Sequence, residues 1–186
     1  IPNVELIILD TPPFQPERMV EEGKKALEKG ADAFICNHVS NVFGYILPVE
    51  EIARLCDYYG VPLILDAAQS AGRLPVNMKK LGAAFIAMPG HKGLLGPQGT
   101  GLLLCRDLPK PLLQGGTGSL SEGQEMPDFL PDAAEAGTLN VPGIAGLDAG
   151  MAYIQRTGPD AIFRREHRQT ERCAAGLEKL GLRVFA

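Results

Sequence analysis

The sequence predicts an α/β fold: a mostly parallel sheet with helices on both faces and one antiparallel strand. Three observations predict it. Short apolar runs at 4–9, 33–37, 61–65 and 85–88 alternate with segments of helical period, and that alternation implies parallel strands joined by right-handed crossovers. The runs are close to continuously apolar, as in strands covered on both faces. The fourth run is followed by residues 99–105 across a Gly-rich loop with no helix, which reads as an antiparallel return.

Taken in order, residues 4–9 are apolar apart from Glu5 and end in Asp10-Thr11-Pro12-Pro13, a strand and a turn. Pro16 opens a helix to about Lys29, because its missing N–H costs nothing in the first helical turn. Met19, Val20, Gly23, Ala26 and Leu27 form its stripe, and Gly30 closes it. The strand at 33–37 precedes a helix over 49–59, with Val49, Ile52, Ala53, Cys56 and Tyr59 on one face and Gly60 as its stop. The third strand ends at Asp66, and a short helical stretch at 77–81 precedes the fourth. Residues 106–141 form a long Pro/Gly-rich connection, a length that calls for a functional reason or a partner surface. A helix over 142–156 carries Ile144, Leu147, Met151 and Ile154 in register, and another over 159–180 has a charged centre from Arg164 to Arg168. Residues 182–185 read as the start of a further strand. The 186-residue chain begins at Ile1 and stops at Ala186 in mid-element, so it is expected to be part of a longer protein.

Composition narrows the function classes. The net charge is −4 with no basic block, which argues against a nucleic-acid or membrane-surface partner. No apolar run approaches the roughly 20 residues of a membrane helix. Residues 1–10 lack a basic segment and do not read as a signal peptide. Cys36, Cys56, Cys105 and Cys173 are far apart with no C-x-x-C pair, and are expected to be reduced, mostly buried thiols of a cytoplasmic protein. No metal site is expected.

In an open parallel sheet, ligands bind beyond the carboxyl ends of the strands. Three such ends carry polar residues here: Asn37-His38 to Asn41, Asp66 to Gln69, and Pro89-Gly90-His91-Lys92. Asp66 and Lys92 could form an ion pair at the sheet edge. The alternative is a site in which a lysine amine condenses with an aldehyde cofactor and a carboxylate keeps a ring nitrogen protonated. Pyridoxal phosphate demands that combination, and the glycines around Lys92 would let a flat ligand approach the backbone.

The stretches HVSNVFG from His38, PVEEI from Pro48, DAAQ from Asp66, GHK from Gly90, GPQGTG from Gly96, EAGTLN from Glu135 and PGIAGL from Pro142 occur in a recognisable order and spacing. The chain resembles the cysteine desulfurases, class V aminotransferase-type enzymes of the fold type I pyridoxal-phosphate superfamily, over essentially its whole length. The resemblance implies a partial large domain over residues 1–180, lacking its N-terminal portion, with residues 181–186 opening a C-terminal small domain. It implies that Lys92 is the Schiff-base lysine and proton shuttle. Asp66 would pair with the pyridinium nitrogen and Gln69 would bond the ring hydroxyl. Asn41 would lie near that hydroxyl and the substrate carboxylate, and His91 would touch the phosphate. Thr138 matches a threonine that reaches the phosphate in the other subunit of a homodimer, and Gly115 and Gly116 match backbone near the partner's pocket. Read from its position alone, Thr138 could equally cap the helix that follows. His38 reads as a strand-end histidine and His167 as a solvated one.

Two departures bear on the implied function. Pro89 stands where the family has a Ser or Thr whose hydroxyl binds phosphate. None of the four cysteines matches the sulfur-accepting position. The implied reaction is L-cysteine to L-alanine with sulfur passed to an enzyme cysteine, and a sulfur-acceptor protein is a partner compatible with it. The alternatives are another class V reaction (transamination, selenocysteine cleavage or an amino-acid lyase) and a folded fragment that is inactive by itself.

Overall fold

The structure is a computed structural model in which residues 4–116, 119–120 and 122–185 are described. Its elements run α1 (Pro16–Glu28), β1 (Phe34–Asn37), α2 (Val49–Tyr59), β2 (Leu63–Asp66), α3 (Met78–Leu81), β3 (Phe85–Pro89), β4 (Gly101–Cys105), a 3-10 turn (Asp132–Ala134), α4 (Val141–Thr157) and α5 (Pro159–Lys179). The four strands form one sheet in the order β1-β2-β3-β4. β1, β2 and β3 are parallel, and β4 returns antiparallel to β3 with Phe85 opposite Cys105 and Pro89 opposite Gly101. This is the mixed sheet that the sequence predicts.

Each helix has its reason in the sequence. Pro16 sits in the first turn of α1, and Met19, Gly23, Ala26 and Leu27 are its buried stripe. α2 buries Val49, Ile52, Ala53 and Cys56 and stops at Gly60, whose left-handed backbone (φ 66°) suits a residue without a Cβ. Gly23 shows how tightly the layer packs: a Cβ there would lie 3.2 Å from both Ile52 and Phe34. One core joins these helices to Cys36, Leu63, Leu65 and Ile86 on the sheet and continues to Leu147 and Ile154 of α4.

Burial alternates along the strands. Phe34, Cys36, Leu63, Leu65 and Ile86 are buried, whereas Ile35 is 69% exposed and Leu103 51% exposed on the opposite face. Near-continuous apolar strands predict cover on both faces. Among the described residues the second face is covered in part: Ile64 and Phe85 are half-buried, while Ile35 is exposed.

Two expected strands do not form. Residues 4–9 form no regular element, with Leu6 at 76% and Ile8 at 83% exposure, and no ladder joins them to the sheet. Residues 182–185 are irregular, with the Arg183 guanidinium 4.6 Å from the Phe185 ring centroid. Apolar composition supplies strand propensity, but a strand exists only by pairing. α4 also differs in detail. It buries Gly143, Leu147, Gly150 and Ile154, so Ile144 of the expected stripe is left exposed. α5 buries no residue fully, because its apolar positions are interrupted by charge.

Candidate active site

Parallel pairing puts the carboxyl ends of β1, β2 and β3 on one rim, with Asn37, Asp66 and Ala87 in one row across the sheet. Three loops leave that rim. The first is braced by backbone: the His38 N–H donates to the Asp66 carbonyl (2.8 Å) and the Leu47 N–H to the His38 carbonyl (2.9 Å). The Ser40 hydroxyl accepts from the Val42 and Phe43 N–H groups, both at 3.3 Å, which leaves Asn41 at the exposed tip.

The second loop is a helical turn after β2. The Asp66 carboxylate accepts the Ala68 N–H at 2.8 Å, and the Leu74 N–H donates to the Ser70 carbonyl at 2.8 Å. Gly72 interrupts that turn with a left-handed backbone (φ 80°), and Gln69 and Arg73 on either side of the break both line the cleft between the loops.

The third loop carries Lys92. The Gly96 N–H donates to the Gly90 carbonyl (2.7 Å), the Leu95 N–H to the Lys92 carbonyl (2.9 Å), and the Gly90 N–H to the Thr100 carbonyl (2.8 Å). Leu95 takes a positive φ of 58°, an uncommon conformation for a branched residue and one often found at functional loops. The second and third loops interlock through bare backbone: a Cβ on Gly93 would overlap the Ala71 carbonyl oxygen, and one on Gly72 would overlap the Gly93 carbonyl oxygen. α4 then lies on top, with Gly150 so close that a Cβ there would sit 2.6 Å from the Leu94 oxygen.

Between the loops lies a cleft of about 470 Å³ lined by Val39, Ser40, Asn41, Gly44, Gln69, Arg73, His91 and Lys92. Four of the six site residues expected from the sequence, Asn41, Gln69, His91 and Lys92, therefore share one cavity. Asp66 stands at the same rim, with its carboxylate exposed and the Ala68 N–H on one oxygen. It is not in an ion pair with Lys92, nor is Lys92 paired with any carboxylate among the described residues, so the edge ion pair does not form.

Thr138 is exposed and outside the cleft. It is not the helix cap either, since Asn140 caps α4 by accepting the Gly143 N–H at 3.1 Å. The Gly137 N–H donates to the Gly115 carbonyl at 2.9 Å, so Thr138 and the Gly115-Gly116 pair lie on joined segments.

The sequence reading missed Arg73. No local spacing marks it, because Gly72 breaks the helical period between Gln69 and Arg73. His38 is buried at 7% exposure, with Nδ1 unpartnered, and its side chain alternates onto the Cys36 face, away from Asn37 and Asp66. Burial holds its basicity below the usual histidine range, partly offset by Glu50. Cys36 and Cys56 are buried, and burial pushes their thiols up to about 12 and about 11. Cys105 is half-buried and Cys173 exposed. None of the four lines the cleft. No cluster of His, Cys, Asp and Glu among the described residues could hold a metal ion, and no helix is long and apolar enough to cross a membrane.

Residues 8–186 match the family model described as aminotransferase class-V. The chain belongs to the class V aminotransferase family. Within that class V family it is 39% identical, over 161 residues, to a probable cysteine desulfurase of Pyrococcus abyssi, a match covering 82% of this chain and 39% of that protein. The apo structure of a cysteine desulfurase from Thermococcus onnurineus NA1 superposes with a TM-score of 0.78 at 41% identity, covering 88% of this chain and 42% of that one. SspA, solved in complex with cysteine, superposes with a TM-score of 0.60 at 26% identity, covering 72% of this chain and 36% of that one. This class V chain thus spans about two fifths of the length of the curated relatives it matches.

Proposed function

We propose that this chain is the central part of the cofactor-binding domain of a pyridoxal-phosphate-dependent cysteine desulfurase. The observation that carries the reading is the joining of Asn41, Gln69, His91 and Lys92 in one cleft, at the strand ends where this family's residues are expected. The residues fit the cofactor. The cleft is of ligand size, its lining contains Arg73, His91 and Lys92 but no carboxylate, and the Asp66 carboxylate is held at the rim by one backbone donor. When bound, the cofactor supplies a protonated ring that withdraws electrons from the substrate's α-carbon.

The roles of the chain's own residues follow from their chemistry. Asp66 would keep the ring nitrogen protonated. Gln69 would bond the ring hydroxyl, and His91 would contact the phosphate without help from a hydroxyl at Pro89. Lys92 would hold the cofactor through its amine and would move a proton at the α-carbon, as base and later acid. Asn41, at the loop tip, faces the substrate carboxylate. A structure of SspA with cysteine supports L-cysteine as the substrate. That none of the four cysteines lines the cleft supports the reading that the sulfur acceptor is not among them and that the isolated chain is inactive in sulfur transfer.

Thr138 outside its own cleft supports the reading that it serves the cleft of a second copy in a homodimer. Leu112 at 96% and Val141 at 65% exposure on the neighbouring segments support burial there. A sulfur-acceptor protein and a cytoplasmic setting go with this reading, as does a domain boundary near residue 180. Incubation with pyridoxal phosphate, borohydride reduction and peptide mass spectrometry test the assignment. The expected result is a single reduced adduct on Lys92, absent in Lys92→Ala; an adduct spread over surface lysines and unchanged in Lys92→Ala overturns it.

A further inference from the structure

Arg73 lines the cleft beside Lys92, and its Nε donates to Glu166 of α5 at 2.6 Å, across 93 residues of chain. The cofactor chemistry above gives neither residue a part. Arg73 belongs to the turn that interlocks with the Lys92 loop. A Cβ on Gly93, the residue after Lys92, would lie 2.6 Å from Arg73 Nη1. One guanidinium therefore sits against the backbone that carries the reactive amine while its Nε is held by α5.

α5 needs such a tie. It buries none of its 21 residues fully, and beyond its packing on α4 and the partial cover of Ile162 it has few anchors. We infer that Arg73 is a positioning residue for the Lys92 loop, and that Glu166 carries the placement of α5 into that loop. A movement of α5 then changes where Arg73 presses on Gly93, and so how the amine stands in the cleft. The coupling is reciprocal: a ligand that fixes Lys92 also fixes α5.

Amide hydrogen exchange on the 186-residue chain tests this with Arg73→Lys, Arg73→Gln, Glu166→Gln and the double variant Arg73→Gln/Glu166→Gln. The pair is partly exposed, at 31% and 44%, so its loss should speed exchange by only about threefold. The expected result is that increase at both 90–96 and 159–170 in each Gln variant, no further increase in the double variant, and rates near wild type in Arg73→Lys. Unchanged exchange at 90–96, an effect of Arg73→Gln that Glu166→Gln does not share, or multiplying effects in the double variant would each overturn the inference. The yield of reduced cofactor adduct on Lys92 should fall in the same order. This second readout rests on the proposed function. Absence of any adduct in the wild type defeats that function while the exchange data still decide the coupling.

Discussion

Gly93 is the residue at which the site is least able to change. Its missing side chain lets the turn after Asp66 and the loop bearing Lys92 meet backbone to backbone. Gly93→Ala pushes a methyl into the Ala71 carbonyl, which has no flexible end to yield. The expected loss is about 2–3 kcal/mol in urea unfolding, together with loss of the cofactor adduct on Lys92. His38 makes a different prediction at the same scale. Burial lowers its proton affinity in the folded state, so the unfolded chain binds the proton more readily and stability falls as pH drops through about 6.5. The urea midpoint should fall between pH 7.5 and 5.5, as roughly bounded by that histidine range, and His38→Gln should flatten this slope. A slope unchanged in that variant assigns it to other groups.

At the scale of the element, the alternating exposure of the strands gives paired expectations. Leu65→Ala in the fully buried row of β2 should cost about 3 kcal/mol. Ile35→Ser, one strand away on the partly covered face, should change stability by less than about 0.5 kcal/mol. Equal costs would show that something covers Ile35. The uneven burial of this second row, with Ile35 exposed and Ile64 and Phe85 half-buried, is what the sequence concealed. Ile35, Ile64 and Phe85 are apolar enough for two-sided cover, and composition cannot say whether a second layer is present. The helices were legible because caps and period agree in them: Pro16 and Gly60 mark ends, and Ile52 and Cys56 mark a face. Residues 4–9 misled for the opposite reason, since their propensity has no pairing partner in the described chain. That Lys92, His91, Gln69 and Asn41 lie together in one cleft was readable because motif and strand end coincide. Arg73 was not, because its partner Glu166 is distant in sequence and no local pattern joins them.

The whole molecule offers its four cysteines as a gauge of folding. A disulfide reagent should label Cys173 quickly in the native protein and Cys105 more slowly. Cys36 and Cys56, buried and with thiols pushed to about 12 and about 11, should react only after urea. Rapid native labelling of all four would mean that the core opens readily. The loop that carries Lys92 has a consequence at this scale too. Its ends are already joined by the Gly96-to-Gly90 bond, and α4 already rests on it. Little chain entropy is left for a ligand to remove there, so affinity for a ligand in the cleft should depend on its lining side chains more than on the ordering of backbone. A loop closed on itself in this way also moves as a unit, so a displacement passed to it at Gly93 reaches the Lys92 amine undamped by slack in the chain.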